Sequence, residues 1–160
     1  MRKSSTIFLQ AVIVLFGIGS FGLLLWEPHI EGRNAHANFF QIYFNDPFLA
    51  YAYTASIAFF VALYQAFKLL GYVGRGEVFS RGPVKALRTI KYCAMSLVSF
   101  LLGAEAYLFI VMRGKDDIAG GVMMGLVLIF VSAVVASAAA VFERTLQSAV
   151  ELKAENDLTV

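Results

Sequence analysis

Cysteine is almost missing: Cys93 stands alone among 160 residues, so no intrachain disulfide can form and a secreted disulfide framework is excluded. Charge is scarce too. Only 15% of the residues are charged, and 13 basic against 11 acidic residues leave a net +2; with no basic module, direct nucleic-acid binding is not expected. The two histidines, His29 and His36, lie outside the long apolar runs, which removes the axial pair of a bis-histidine haem. Those runs also lack aspartate and histidine, which intramembrane proteolysis would need as an aspartate pair, a serine–histidine pair or zinc ligands, and a thiol oxidase would need cysteine pairs. The chemistry that is missing points away from an enzyme and away from any cofactor.

What is abundant is hydrocarbon. At 59% apolar residues the chain is too oily for a water-soluble domain of its length. About 20 apolar residues in a helix cross a hydrocarbon core of roughly 30 Å, and four such runs occur, at 7–26, 48–72, 87–112 and 118–142. The first follows Arg2 and Lys3 and is expected to stop at Glu27-Pro28, where proline has no N–H to continue a helix. It is too long for a signal peptide, and the small-residue sequence Ala35-His36-Ala37 lies too far beyond it to be the cleavage site. Asn45-Asp46-Pro47 opens the second run as a polar cap and a tolerated proline. Arg113-Gly114 closes the third, and Asp116 and Asp117 complement the positive end of the fourth. The expected fold is an all-α membrane protein: one domain, an antiparallel bundle of four transmembrane helices. Its outer loop is 27–47, its inner loop 73–86 and its tail 143–160, with the last span continuing as an amphipathic cytoplasmic helix to about Asn156.

Lysines and arginines set the direction. Arg2, Lys3, Lys68, Arg75, Arg81, Lys85, Arg88, Lys91, Arg144 and Lys153 fall on the side of the termini, and Arg33, Arg113 and Lys115 opposite. By the positive-inside rule both termini face the cytoplasm and, in a bacterium, the membrane is the inner one.

Membrane helices associate through small residues and interhelical hydrogen bonds. Gly121, Gly125, Ser132, Ala136 and Ala140 form such a stripe on the fourth span, inside the monomer rather than at an oligomer contact, though an oligomer is possible. The Gly17, Gly19 and Gly22 spacing has no strand before it and is no dinucleotide fingerprint. Glu105 is a carboxylate inside the third span, expensive to bury and in need of protonation, a polar partner or water. Counting equal depth down each helix puts Ser20, Thr54 and Gly125 in its layer. Glu105 is then either a proton or cation acceptor, or a carboxyl bonded to Ser20 or Thr54 that fixes register. Lys91 is too far along the same helix to pair with it. Gln65 is expected to meet Ser96 or Ser137, and Lys68 to snorkel to the surface. In the outer loop, Phe39, Phe40, Tyr43, Phe44 and Phe48 suggest an interfacial collar. His29 and His36, with Glu27, Glu31 and Asp46, lack ligand spacing, and no metal site is expected.

The inner loop carries Val78-Phe79-Ser80, then Val84-Lys85-Ala86-Leu87-Arg88-Thr89-Ile90; the chain ends Glu151-Leu152-Lys153-Ala154-Glu155-Asn156-Asp157-Leu158-Thr159-Val160. These motifs resemble a bacterial family of small four-helix membrane proteins of unknown function. In it an F-[ST] pair precedes V-K-x-[LI]-R, and the chain stops after E-[NQ]-D-L-T-[IV]. The resemblance implies no activity or cofactor, and implies a small helix-turn-helix regulator as a gene neighbour. The basic loop and the acidic tail suggest a docking surface for such a soluble partner, formed by Arg81, Lys85, Arg88, Glu155 and Asp157, with Asp157 or Glu155 against Arg81 or Arg88. The leading expectation is a regulatory or scaffolding membrane protein. The alternative is a small transporter or channel with Glu105 as coupling acid.

Overall fold

The computed structural model describes residues 3–30, 38, 40, 47–112, 114 and 118–158, without the side chains of residues 3, 27–30 and 158. They form α1 (Lys3–Ile30), α2 (Pro47–Gly74), α3 (Arg81–Tyr107, continued by a π-helical turn, Leu108–Met112) and α4 (Ala119–Leu158). All four are long and apolar enough to cross a membrane, and the described residues include no strand. Much of the expected aromatic collar, Phe39, Tyr43 and Phe44, lies outside the described residues. So do Arg2, Glu31, Arg33, His36, Asp46, Arg113, Lys115, Asp116, Asp117, Thr159 and Val160, and the side chains of Lys3, Glu27 and His29.

Local chemistry sets the helix ends. At the end of α2, Gly76 takes a left-handed φ of 75°, its N–H bonds to the Val73 carbonyl at 3.2 Å, and the Glu77 N–H reaches the Tyr72 carbonyl at 3.0 Å. This is a Schellman ending, with glycine where a side chain would clash. Ser80 then occupies the N-cap of α3 with an extended backbone but makes no side-chain cap bond. Two residues into the helix stands Pro83, which lacks the amide that a capping serine commonly engages. The Ser80 hydroxyl instead donates to the Glu77 carbonyl at 2.8 Å. Gly114, with φ 79°, has the left-handed backbone its place after the third span calls for.

Two boundaries differ from the sequence expectation. The helix α1 does not stop at Glu27 but passes through Pro28 to Ile30. Proline there leaves the Leu24 carbonyl without its usual amide partner, and the Tyr53 hydroxyl of α2 donates to that carbonyl at 3.0 Å. The second correction concerns the inner loop. Only the segment between Gly74 and Arg81 is non-helical, so Arg81 and Lys85 project from the first turns of α3 rather than from a loop, on the same helix as Arg88. The tail is the direct continuation of α4, a single helix of 40 residues that spans about 60 Å, twice a hydrocarbon core.

Extensive contacts run in chain order, α1 with α2, α2 with α3, and α3 with α4. Each pair is antiparallel, and each register is set by identifiable side chains. Gln10 donates its amide to the Phe67 carbonyl at 3.1 Å, and Phe16 meets Phe59 edge-on at 6.0 Å. Tyr51 donates to the Phe100 carbonyl at 2.8 Å, and Phe48 stacks on Tyr107 at 5.6 Å. These hydroxyl and amide donors replace the hydrophobic drive that helices lack in lipid. Both Lys3 and Leu158 therefore sit at one end of the molecule, the terminal end, with Pro47 and Met112 at the far end. Buried apolar residues collect at the terminal end of α3, at Pro83, Val84, Ala86, Leu87, Ile90 and Ala94, and Ala139 is buried on α4. Elsewhere large apolar side chains point outward, as Ile110 and Phe130 do, which is the arrangement lipid solvates.

Candidate functional site

The seam between α3 and α4 carries two buried glutamates. It is held close by small residues on α4: Gly121 lies where an added Cβ would be 3.6 Å from Leu108 Cδ1, and Ser132, Ala136 and Ala140 are half-buried along the same seam with Ala139 buried beside them. Gly125 faces Glu105. A Cβ on Gly125 would collide with the Glu105 carboxyl, so the carboxyl occupies the space that glycine leaves. Glu105 is 7% exposed, and its Oε2 has no hydrogen-bond partner. The helix widens into the π turn three residues later, a distortion that leaves the α-helical bonding pattern beside the carboxyl.

At the other end of the seam stands Glu143, 5% exposed. Arg88 and Lys91, one turn apart on α3, both reach it: Arg88 Nε donates to Oε1 at 2.6 Å and Lys91 Nζ to Oε2 at 2.7 Å. Both oxygens are engaged by charge-assisted bonds. Lys91 also lies over the Tyr92 ring at 4.7 Å. Glu143 was not singled out in the sequence, where it reads as the first residue of a solvated tail. The available signal is its distance from the short α3–α4 connection, which matches that of Arg88.

The other expected members of the Glu105 layer are elsewhere. Thr54 is exposed and donates to its own helix, to the Ala50 carbonyl at 2.9 Å. Ser20 belongs to α1, whose extensive contact is with α2. The correction has a geometric cause. Spans bounded by composition set Met112 level with Phe48, whereas Phe48 stacks on Tyr107, a slip of five residues, or about 7.5 Å. Glu105 is thus level with the first turn of α2, near Phe48 and Tyr51, and Ser20 lies far below it. Gln65 does not meet Ser137, whose hydroxyl donates to the Ala133 carbonyl at 2.8 Å on an exposed face. Gln65 instead lines a cleft with Lys68, Tyr72, Lys85 and Thr89.

Of the five expected docking residues, Arg88 is engaged by Glu143, the first residue of the tail and not one of the five. Arg81 and Lys85 are exposed on α3, and Glu155 and Asp157 on α4. The Arg88–Glu143 pair sets Arg81 about level with Val150. Residues 151–157, exposed throughout, continue past the start of α3.

These features define a class: an all-α membrane protein of four antiparallel apolar helices with one helix extended far beyond its neighbours. Residues 33–160 match the family described as protein of unknown function DUF2975, and the chain belongs to that family. It is 40% identical over 161 residues, the full length of both chains, to an uncharacterized membrane protein, YoaS, of Bacillus subtilis strain 168. No solved structure matches it.

Proposed function

We propose that this chain is a non-enzymatic membrane scaffold that presents the end of α4 to a soluble cytoplasmic partner. One observation carries the reading: α4 continues without a break to Leu158, and every residue from 151 to 157 is exposed, Leu152 at 61% among them. An anchor needs no such extension. The helix alternates acids and bases around Leu152, so it offers an apolar contact framed by charge, and Arg81 at the start of α3 supplies a basic flank. The excess of lysine and arginine at the terminal end orients that end to the cytoplasm. A small helix-turn-helix regulator, to which the family resemblance points, is the partner of choice. Deleting residues 151–160 is expected to abolish co-purification of that regulator in mild detergent while membrane insertion is kept. Undiminished co-purification contradicts the proposal.

A second reading rests on Glu105. A buried carboxyl with one oxygen unpaired is expensive in hydrocarbon, and such intramembrane acids mark proton or cation pathways. Glu105→Gln in reconstituted vesicles separates the two: the transport reading predicts loss of coupled flux, and the scaffold reading predicts unchanged partner binding.

A further inference from the structure

Between α2 and α3, at the terminal end, lies a cleft of roughly 250 Å³ lined by Gln65, Lys68, Tyr72, Gly82, Lys85, Ala86 and Thr89. Its character differs from that of three other hollows on the described surface. Those are walled by Phe48, Tyr51 and Tyr107, by Phe130, Val134 and Phe142, or by Ile13, Phe60 and Phe67, and are mainly apolar. This one has two ammonium groups and no carboxylate in its walls.

The neighbouring cations are already answered except Arg81, which is exposed at the start of α3. Arg75 pairs with Glu77 at 3.2 Å, and Arg88 and Lys91 pair with Glu143. Glu143 lies on the seam with α4, whereas the cleft is on the side of α3 that faces α2. Lys68 has the Tyr64 ring beneath it at 5.5 Å, a contact that attracts a cation without neutralising it. The Thr89 hydroxyl already donates to the Lys85 carbonyl at 3.0 Å. The neutral donors left to a ligand are therefore the Gln65 amide and the Tyr72 hydroxyl.

The start of α3 adds to the same field. Gly82, in its first turn, lines the cleft; a Cβ there would be 2.6 Å from Tyr72 Cζ, so glycine lets the ring lie against the helix start. No side-chain cap covers that turn, and the positive end of the helix dipole adds to the two lysines. Lys68 is six residues, or about 9 Å, from the end of α2 at Gly74. That is the depth at which a lysine snorkels toward headgroup phosphates.

We propose that this cleft binds a phosphoryl anion between Lys68 and Lys85, with Gln65 and Tyr72 as hydrogen-bond donors. An anionic phospholipid headgroup and free inorganic phosphate share that chemistry. The site is separate from residues 151–160, so its failure and the failure of the scaffold reading are distinguishable. The test is native mass spectrometry of the full chain in mild detergent, titrated with phosphatidylglycerol or with zwitterionic phosphatidylcholine, each with and without inorganic phosphate. Phosphatidylglycerol retained over phosphatidylcholine and not displaced by inorganic phosphate identifies the lipid as the source, and a phosphate adduct on the protein with neither lipid preferred identifies the free anion. In either case Lys68→Gln with Lys85→Gln should weaken retention at least about tenfold, from the loss of two cations near the surface. Lys153→Gln, on the exposed end of α4, should leave it unchanged. Helicity and elution volume check the fold. Should the double variant misfold, Lys85→Glu, a charge reversal at an exposed position, should produce the same loss alone. Equal retention of the two lipids with no phosphate adduct, or retention undiminished in the lysine variants, overturns the proposal.

Discussion

Glu105 and Glu143 stand on the same helix seam, about 27 Å apart along it, and the fold treats them in opposite ways. Glu143, at the terminal end, is shared by Arg88 and Lys91 and has both oxygens bonded. Glu105, toward the far end, is equally buried but is given space by Gly125 and leaves Oε2 unpaired. The difference follows from what each end can supply. Near the surface, lysine and arginine can reach a buried acid while keeping contact with water, so the Arg88 side chain remains 51% exposed as it pairs. At the level of Glu105 the described residues of the neighbouring helices include no lysine or arginine. There the seam tolerates an acid only through the shape of its neighbour. One glutamate locks the register; the other is the polar group the bundle leaves open.

That contrast can be broken at its strongest point first. Gly125→Val drives a branched side chain into the Glu105 carboxyl and should cost about 3 kcal/mol, the upper range for overpacking, read as a lower midpoint in denaturant titration of the reconstituted protein. Adding Glu105→Ala should recover a large part of that loss, because the two residues compete for one space. Additive losses would show that they do not touch. Glu143→Gln should cost about 2 kcal/mol in the same titration, below the usual penalty for breaking a buried pair because the partners can rehydrate. A smaller effect is expected away from the seam. Tyr53→Phe removes the donor that serves the Leu24 carbonyl and should cost about 1 kcal/mol, and less in a Pro28→Ala background, where the residue 28 amide returns. Glu105→Gln should change stability least, within about 0.5 kcal/mol, since it keeps the shape that fills the space beside Gly125. A marked loss of stability there would mean that Glu105 has an ionic partner after all.

The four spans were legible because hydrocarbon thickness fixes their length and composition shows it. The meeting of Glu105 with Gly125 was also within reach. The connection between spans three and four is short, so counting depth from it gives nearly the true register. Ser20 and Thr54 were misplaced because the connection between spans one and two is long and the far end of α3 runs on through Leu108–Met112, beyond the level at which α2 begins. Composition cannot see such an offset, but the Phe48–Tyr107 stack does. Pro28 was read as a stop because the sequence does not show that Tyr53 of another helix will serve the carbonyl it orphans. Glu143 is hidden for a similar reason: its charge resembles that of the tail that follows, and what distinguishes it is its level and the three-residue spacing of Arg88 and Lys91 on the facing helix.

The scaffold reading depends on the extended end of α4 being in the cytoplasm, and thiol labelling of intact cells tests that directly. In a Cys93→Ala background, Leu152→Cys and Gly114→Cys place single thiols at opposite ends of the molecule. A membrane-impermeant maleimide should label residue 114 on intact cells and residue 152 only after lysis. Labelling of residue 152 on intact cells would contradict the account.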